Sequence, residues 1–120
     1  MRTFRFLDFG VYLSSKSLYR SIIQLTRNFP KEFFALADQI RRSSLSVILN
    51  IAEGSAKKSD KDFHRYLENA LGSINETVAA LDVAHDNQLL DTDHFNALMA
   101  NAESIAKQLG RFAKKLSSDK

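Results

Sequence analysis

The chain contains no cysteine, a single proline (Pro30) and only four glycines in 120 residues. Without cysteine there is no disulfide framework, no thiolate metal site and no cysteine nucleophile, and a reducing cytoplasm is the expected compartment. So little proline and glycine leaves few of the tight turns that an all-β chain needs, and helix-forming residues dominate throughout. The expected class is therefore all-α. No run of eighteen apolar residues occurs, so no transmembrane helix is expected. The N-terminal segment MRTFRFLDFGVYL carries Arg5 and Asp8 among its apolar residues and lacks a long hydrophobic region with a cleavage site. It does not read as a signal peptide.

Hydrophobic residues make up 44% of the chain and charged residues 26%, the balance of a globular domain with one core and not of a disordered chain. The net charge of +3 conceals an uneven distribution. Residues 1–65 hold twelve Lys/Arg against six Asp/Glu, residues 66–110 hold one against seven, and the last ten hold four against one. Such a chain suits contact between its basic part and a polyanion, or pairing of basic and acidic parts between subunits.

Apolar residues recur at three- and four-residue steps in four segments, predicting helices at about 10–27, 31–56, 60–85 and 92–116 of one domain spanning residues 1–120. The first stripe is Val11, Ser15, Leu18, Ile22 and Leu25, ended by Asn28-Phe29-Pro30. Pro30 lacks an N–H and has a helix-compatible φ, so it suits the first turn of the second helix. That helix carries Leu36, Ile40, Val47 and Ile51, with Ser43, Ser44 and Ser46 small enough to admit a close neighbour. Ser59 is a hydroxyl cap followed by Asp60 and Asp62, acidic residues at the positive end of the third helix. Asp86-Asn87-Gln88 is a polar break, and Asp91, Thr92 and Asp93 start the fourth helix. Short connections between amphipathic helices predict an antiparallel up-down-up-down four-helix bundle. Helices of about 25 residues run roughly 37 Å, long for a compact monomer and suggestive of self-association.

Several of these residues form a recognisable series: Val11-Tyr12, Leu25-Thr26, Phe29-Pro30-Lys31-Glu32, Gln39-Ile40-Arg41-Arg42, Ser46 and Asn50-Ile51-Ala52-Glu53-Gly54. It continues through Lys57, Ser59, Phe63, Leu67, Ala70, Gly72-Ser73 and Glu76. In these positions the chain resembles the four-helix bundle proteins encoded in intervening sequences of bacterial 23S ribosomal RNA. It departs from their pattern at Ile48, where they usually have proline and a kink is expected, and at Ala56-Lys57, where they usually have Gly-Arg. The family shares its fold with an accessory protein of diversity-generating retroelements. The resemblance implies a homo-oligomer, expected as a homopentamer, with RNA or DNA and a reverse transcriptase-type protein as candidate partners.

The candidate nucleic-acid-binding residues are Arg41, Arg42, Lys57, Lys58, Lys61 and Arg65. Guanidinium forks match phosphate oxygens, and lysines around a turn form a polyanion-binding stripe. Two readings of Arg41 and Arg42 stand side by side: phosphate contact, or an ion pair to a carboxylate such as Glu53 or Glu76. Adjacent helical residues point about 100° apart, so at most one of the two arginines lies flat on a given surface. Asn50 and Glu53 share a helical face, and with Glu76 they read as structural or subunit-interface residues, since a buried carboxylate needs a partner. Tyr12, Tyr19, Phe33 and Phe34 read as core or interface aromatics, with base stacking as the alternative.

No catalytic, metal or cofactor site is expected. His64, His85 and His94 lack the Glu-x-x-His spacing of four-helix di-iron proteins, Lys61, Asp82 and Asp91 standing three residues before them. The serines at 43, 44 and 46 have no adjacent base to make a nucleophile. The expected function is a non-enzymatic oligomer that binds RNA or DNA through a basic surface, with a scaffolding or protein-interaction oligomer as the alternative.

Overall fold

A computed structural model describes residues 3–118, in which a short 3-10 turn (Arg5–Asp8) precedes four helices: α1 (Gly10–Thr26), α2 (Phe34–Ser55), α3 (Asp60–Asp86) and α4 (Thr92–Ser118). A second 3-10 turn, Lys31–Phe33, leads into α2, with Pro30 immediately before it. No strand occurs among the described residues, and no helix there is long and apolar enough to cross a membrane.

The helices form a bundle in which each packs on its chain neighbours and α4 closes back onto α1. Partner positions fall along one helix as they rise along the other. Ser43 meets Thr77, Ser46 meets Ser73 and Gly54 meets Phe63. Between α3 and α4, Phe63 touches Phe112 and His85 touches Phe95. Consecutive helices therefore run antiparallel, as short connections between long helices require. The bundle is elongated, 47 × 24 × 20 Å.

Along the axis, Leu18, Ile22, Ile40, Ile51, Leu67, Ile74, Leu81, Ile105 and Leu109 are fully buried. They recur at helical spacing on one stripe of each helix, which is why the bundle closes around them. Phe9, Phe63 and Phe112 seal one end, with ring centroids 5.1–6.5 Å apart. Arg5 lies over Phe9 and Phe63 and donates to the Ser55 carbonyl through Nη2 at 3.1 Å. It thus satisfies a carbonyl in the last turn of α2 that has no helical partner.

The most extensive helix contact is α2 on α3, and small polar residues make it. Thr77 donates to Ser43 Oγ at 2.8 Å, and Ser43 donates to the Ile40 carbonyl at 3.2 Å. One turn along, the Ser46 and Ser73 hydroxyls lie 2.9 Å apart, and Asn50 Nδ2 donates to the Ser46 carbonyl at 2.9 Å. Buried hydroxyls are tolerated here because each finds a partner. At the end of this seam, a Cβ on Gly54 would lie 2.6 Å from Tyr66 Cβ and 3.0 Å from Phe63 Cδ1. Only the bare glycine backbone fits at that separation.

The turn after α3 closes differently. Gln88 has φ of 63°, the Leu89 N–H donates to the Ala84 carbonyl, and the Gln88 N–H donates to that of His85. This is a Schellman closure with glutamine in the left-handed position usually held by glycine. Leu90 then drops into the core and orients the start of α4.

Ile48, where the related pattern has proline, is buried in an uninterrupted α2. An isoleucine keeps the N–H that proline lacks, so the helical ladder continues through it.

Gly54→Ala is expected to destabilise the chain by about 1–2 kcal/mol. Overpacking against Tyr66 Cβ outweighs the gain in helix propensity. The midpoint of urea unfolding measures it, and an unchanged or raised midpoint would show that the seam has slack.

Candidate nucleic-acid interface

The antiparallel arrangement puts the α2–α3 turn and the C-terminal turns of α4 at the same end of the bundle. Lys61 and His64 from α3 share a cleft of about 360 Å³ with Leu116 and Ser117 from α4. The α2–α3 turn with Lys57 and Lys58, and the first turns of α3 with Lys61 and Arg65, therefore lie at the same end of the bundle as the C-terminal turns of α4, which carry Arg111, Lys114 and Lys115. All seven are exposed. Two basic stretches about fifty residues apart in sequence thus share one end of the molecule.

Tyr66 gives this end its local order. Lys57 Nζ lies 5.0 Å from its ring centroid and Arg65 Cζ 5.8 Å from it, so two cations share one aromatic face system. Arg65 also pairs with Asp62 at 3.5 Å, an exposed contact of little energetic weight. The acidic residues here belong to the start of α3, where Ser59 Oγ accepts the Asp62 N–H at 3.1 Å. Asp60 and Asp62 face the positive end of the helix and offset part of the basic field.

Arg41 and Arg42 do not join this group. They lie roughly 21 Å along α2 from Ser55, at 1.5 Å per residue. The ion pairs expected to Glu53 or Glu76 do not form within the chain. Arg41 is half-buried, and its Nε donates to Thr26 Oγ1 at 2.8 Å, while Thr26 donates to the Ile22 carbonyl at 2.7 Å. Arg42 pairs with Asp38 one turn back on its own helix, at 3.0 Å in solvent. Glu76 is exposed and accepts from Gln39 across the α2–α3 seam.

Asn50 and Glu53 part company. Asn50 turns into the seam, whereas Glu53 is exposed and has no ion-pair partner among the described residues. Glu53 lies at the edge of the face that Asn50 turns inward, and being exposed within the single chain it does not need the partner a buried carboxylate would.

The aromatics separate as well. Tyr12, Tyr19 and Phe33 are half-buried, and Tyr12 meets Phe6 edge-on at 5.0 Å. Phe34 is exposed. His85 stacks on Phe95 at 4.1 Å, and His94 contacts Asp91 at 2.7 Å. At the α3–α4 turn, Asp82, Asp86, Asp91 and Asp93 are all exposed. They lie at the end opposite the lysines, which the α1–α2 turn with exposed Arg27 and Lys31 shares.

The fold and its residue pattern agree with a known group. The description "23S rRNA-intervening sequence protein" matches residues 8–111. The chain belongs to this family. Among solved structures it is similar to a protein with unknown function from the S23 ribosomal protein family of Bacteroides thetaiotaomicron. The two share 25% identity over 87% of this chain and 98% of the other, with a TM-score of 0.82. No curated protein matches it.

In this chain Asp91 caps α4: its Oδ1 accepts the His94 N–H at 2.7 Å while Oδ2 meets His94 Nδ1. The backbone hydrogen bond from His94, then its side-chain hydrogen bond, holds the Asp91 carboxyl below the ordinary carboxylate range. A carboxylate depressed in the folded state stabilises above its unfolded value, about pH 4, and loses that contribution as pH falls through the lowered value. Carbon-detected NMR titration is expected to place the Asp91 midpoint below that of an aspartate in an unstructured peptide. Asp91→Asn keeps a cap acceptor and should remove this part of the acid dependence. An ordinary midpoint would contradict the cap.

Proposed function

We propose that this chain is a non-enzymatic, self-associating four-helix bundle that binds RNA or DNA through its basic end. The carrying observation is that Lys57, Lys58, Lys61 and Arg65 lie at the same end of the bundle as the C-terminal turns of α4 with Arg111 and Lys114. Clustered cations raise the local positive potential, and each phosphate they neutralise releases a counterion. A surface of this kind reads backbone charge and shape, not base sequence. Membership in a family named for a ribosomal RNA intervening sequence supports a polyanion as the partner.

Binding to a structured RNA should therefore weaken steeply with salt. The triple variant Lys57→Gln, Lys58→Gln, Lys61→Gln should bind more weakly and lower the slope of log affinity against log salt by about 2–3, near one unit for each phosphate no longer neutralised. Fluorescence anisotropy at several salt concentrations reads both quantities. Affinity indifferent to salt, or unchanged in the triple variant, would refute the basic end as the RNA-binding surface.

Self-association is supported by the outer sides of α1 and α2. Leu13, Leu45 and Leu49 are 50%, 37% and 53% exposed. Apolar side chains of this size are common in subunit interfaces. A homopentamer follows from the family resemblance, as does a reverse transcriptase-type protein as a further candidate partner. Wild type should sediment as a multiple of its 13.6 kDa protomer. Leu45→Ser combined with Leu49→Ser should shift it toward the single protomer. A wild-type chain that stays monomeric at high micromolar concentration would rule out assembly. Assembly without any RNA affinity would favour the scaffolding role, with the basic and acidic groups meeting between copies.

A further inference from the structure

A cleft of about 410 Å³ opens between the end of α1 and the start of α2, lined by Thr26, Arg27, Phe34, Ala37, Asp38 and Arg41. Its size falls in the range of small-ligand sites, roughly 300–1,000 Å³. The side chains around it are ordered in a way that surface charge alone does not require.

Arg41 is held by its inner edge. Its Nε donates to Thr26 Oγ1 at 2.8 Å, and Thr26 is buried and anchored on the Ile22 carbonyl at 2.7 Å. The guanidinium is thereby oriented while its terminal amino groups remain as donors on the wall of the cleft. That fork matches phosphate oxygens, and its orientation reduces the entropy lost when an anion binds. Arg27, exposed on the same wall, adds a second cation. Asp38 is the one carboxylate in the lining; its Oδ2 lies 3.0 Å from Arg42 Nε on the solvent side, and Arg41 and Arg27 outnumber it on the wall.

Phe34 supplies the other half. It is 56% exposed, an uncommon state for a phenyl ring, and it lines the cleft beside the two arginines. An exposed aromatic face next to guanidinium groups suits an unpaired base and the phosphate attached to it. Ala37 keeps the space between them open.

We propose that this cleft is a nucleotide site, with the phosphate on Arg41 and Arg27 and the base stacked on Phe34. The ligand is a nucleotide presented either free or at an unpaired position of a strand, since both offer the same base and phosphate. The inference rests on the nucleic-acid reading above for its ligand class, but it uses the opposite end of α2 from the lysines.

Calorimetric titration of the full chain with adenosine monophosphate, a six-nucleotide single-stranded RNA and inorganic phosphate tests it at low salt. The two nucleotide ligands should bind more tightly than phosphate. Phe34→Ala, at an exposed position, should weaken both by about tenfold, at the lower end of what a base–aromatic stack contributes, and leave phosphate unchanged. Arg41→Lys keeps the charge but removes the fork and the bond to Thr26, and should weaken all three ligands. Tighter binding of the hexanucleotide assigns a strand, and equal affinity assigns a free nucleotide; both support the site. Absence of nucleotide binding in wild type overturns it. So does a Phe34→Ala chain that binds nucleotide normally, including one that only changes its assembly state. The Lys57→Gln, Lys58→Gln, Lys61→Gln chain should keep its affinity for adenosine monophosphate even where structured-RNA binding is abolished. The failure of the basic end is thus distinguishable from failure of this cleft.

Discussion

The close approach of α2 to α3 governs the rest of the bundle. Two helices separate by whatever side chains lie between them, and here those are Ser43, Ser46, Asn50 and Gly54 on one side and Ser73 and Thr77 on the other. Hydroxyls this small permit close contact only when their own polar groups are satisfied, which the Thr77–Ser43–Ile40 relay achieves. At Gly54 even a methyl group is too much. The seam therefore sets both the distance between the helices and their register, and a slip along it would break the Thr77–Ser43 and Ser46–Ser73 hydrogen bonds and drive Gly54 away from Phe63 and Tyr66.

That register has consequences at both ends. It seats Phe63 under Phe9 and Phe112, so the aromatic cap and the Arg5 bond to α2 form together. It also presents Lys57 and Lys58 at the tip of the turn, with Tyr66 beneath Lys57. At the far end, the left-handed Gln88 turns the chain back so that α4 descends along α3 and delivers its basic C-terminal turns to the same tip. The acidic residues stay behind at the α3–α4 turn. The two groups lie at opposite ends of a 47 Å axis, and the acidic end also carries the arginines near the α1–α2 turn, Arg27 and Arg41.

Much of the fold could be read from spacing because the physics behind it is local. Apolar residues every three or four positions, a hydroxyl at Ser59 and a proline at Pro30 act within a turn or two of themselves. The small residues at 43, 44 and 46 announced a close helix contact for the same reason, although not that Ser44 turns back to its own helix at the Ile40 carbonyl. The candidate site was less legible. Arg41 finds Thr26, fifteen residues away and uncharged, where a carboxylate had been the natural expectation. Glu53 is exposed although it shares a helical face with the inward-turned Asn50, and spacing along one helix does not say where the α3 contact ends. Nothing near Lys57 in sequence indicates that the C-terminal turns of α4 come to the same end of the bundle.

The amino-acid sequence by itself determined the helical class, the family and the two signs of charge, since these depend on composition and on neighbours a few residues apart. Only the tertiary structure decided which charges share a surface. It divided the six candidate cations between the two ends of α2, brought the C-terminal basic run to one of them, and tied Arg41 into a cleft beside Phe34 at the other. The reason is geometric. A helix fixes the direction of each side chain, but the helix packed against it decides whether that direction leads to water, to a partner or to an open wall.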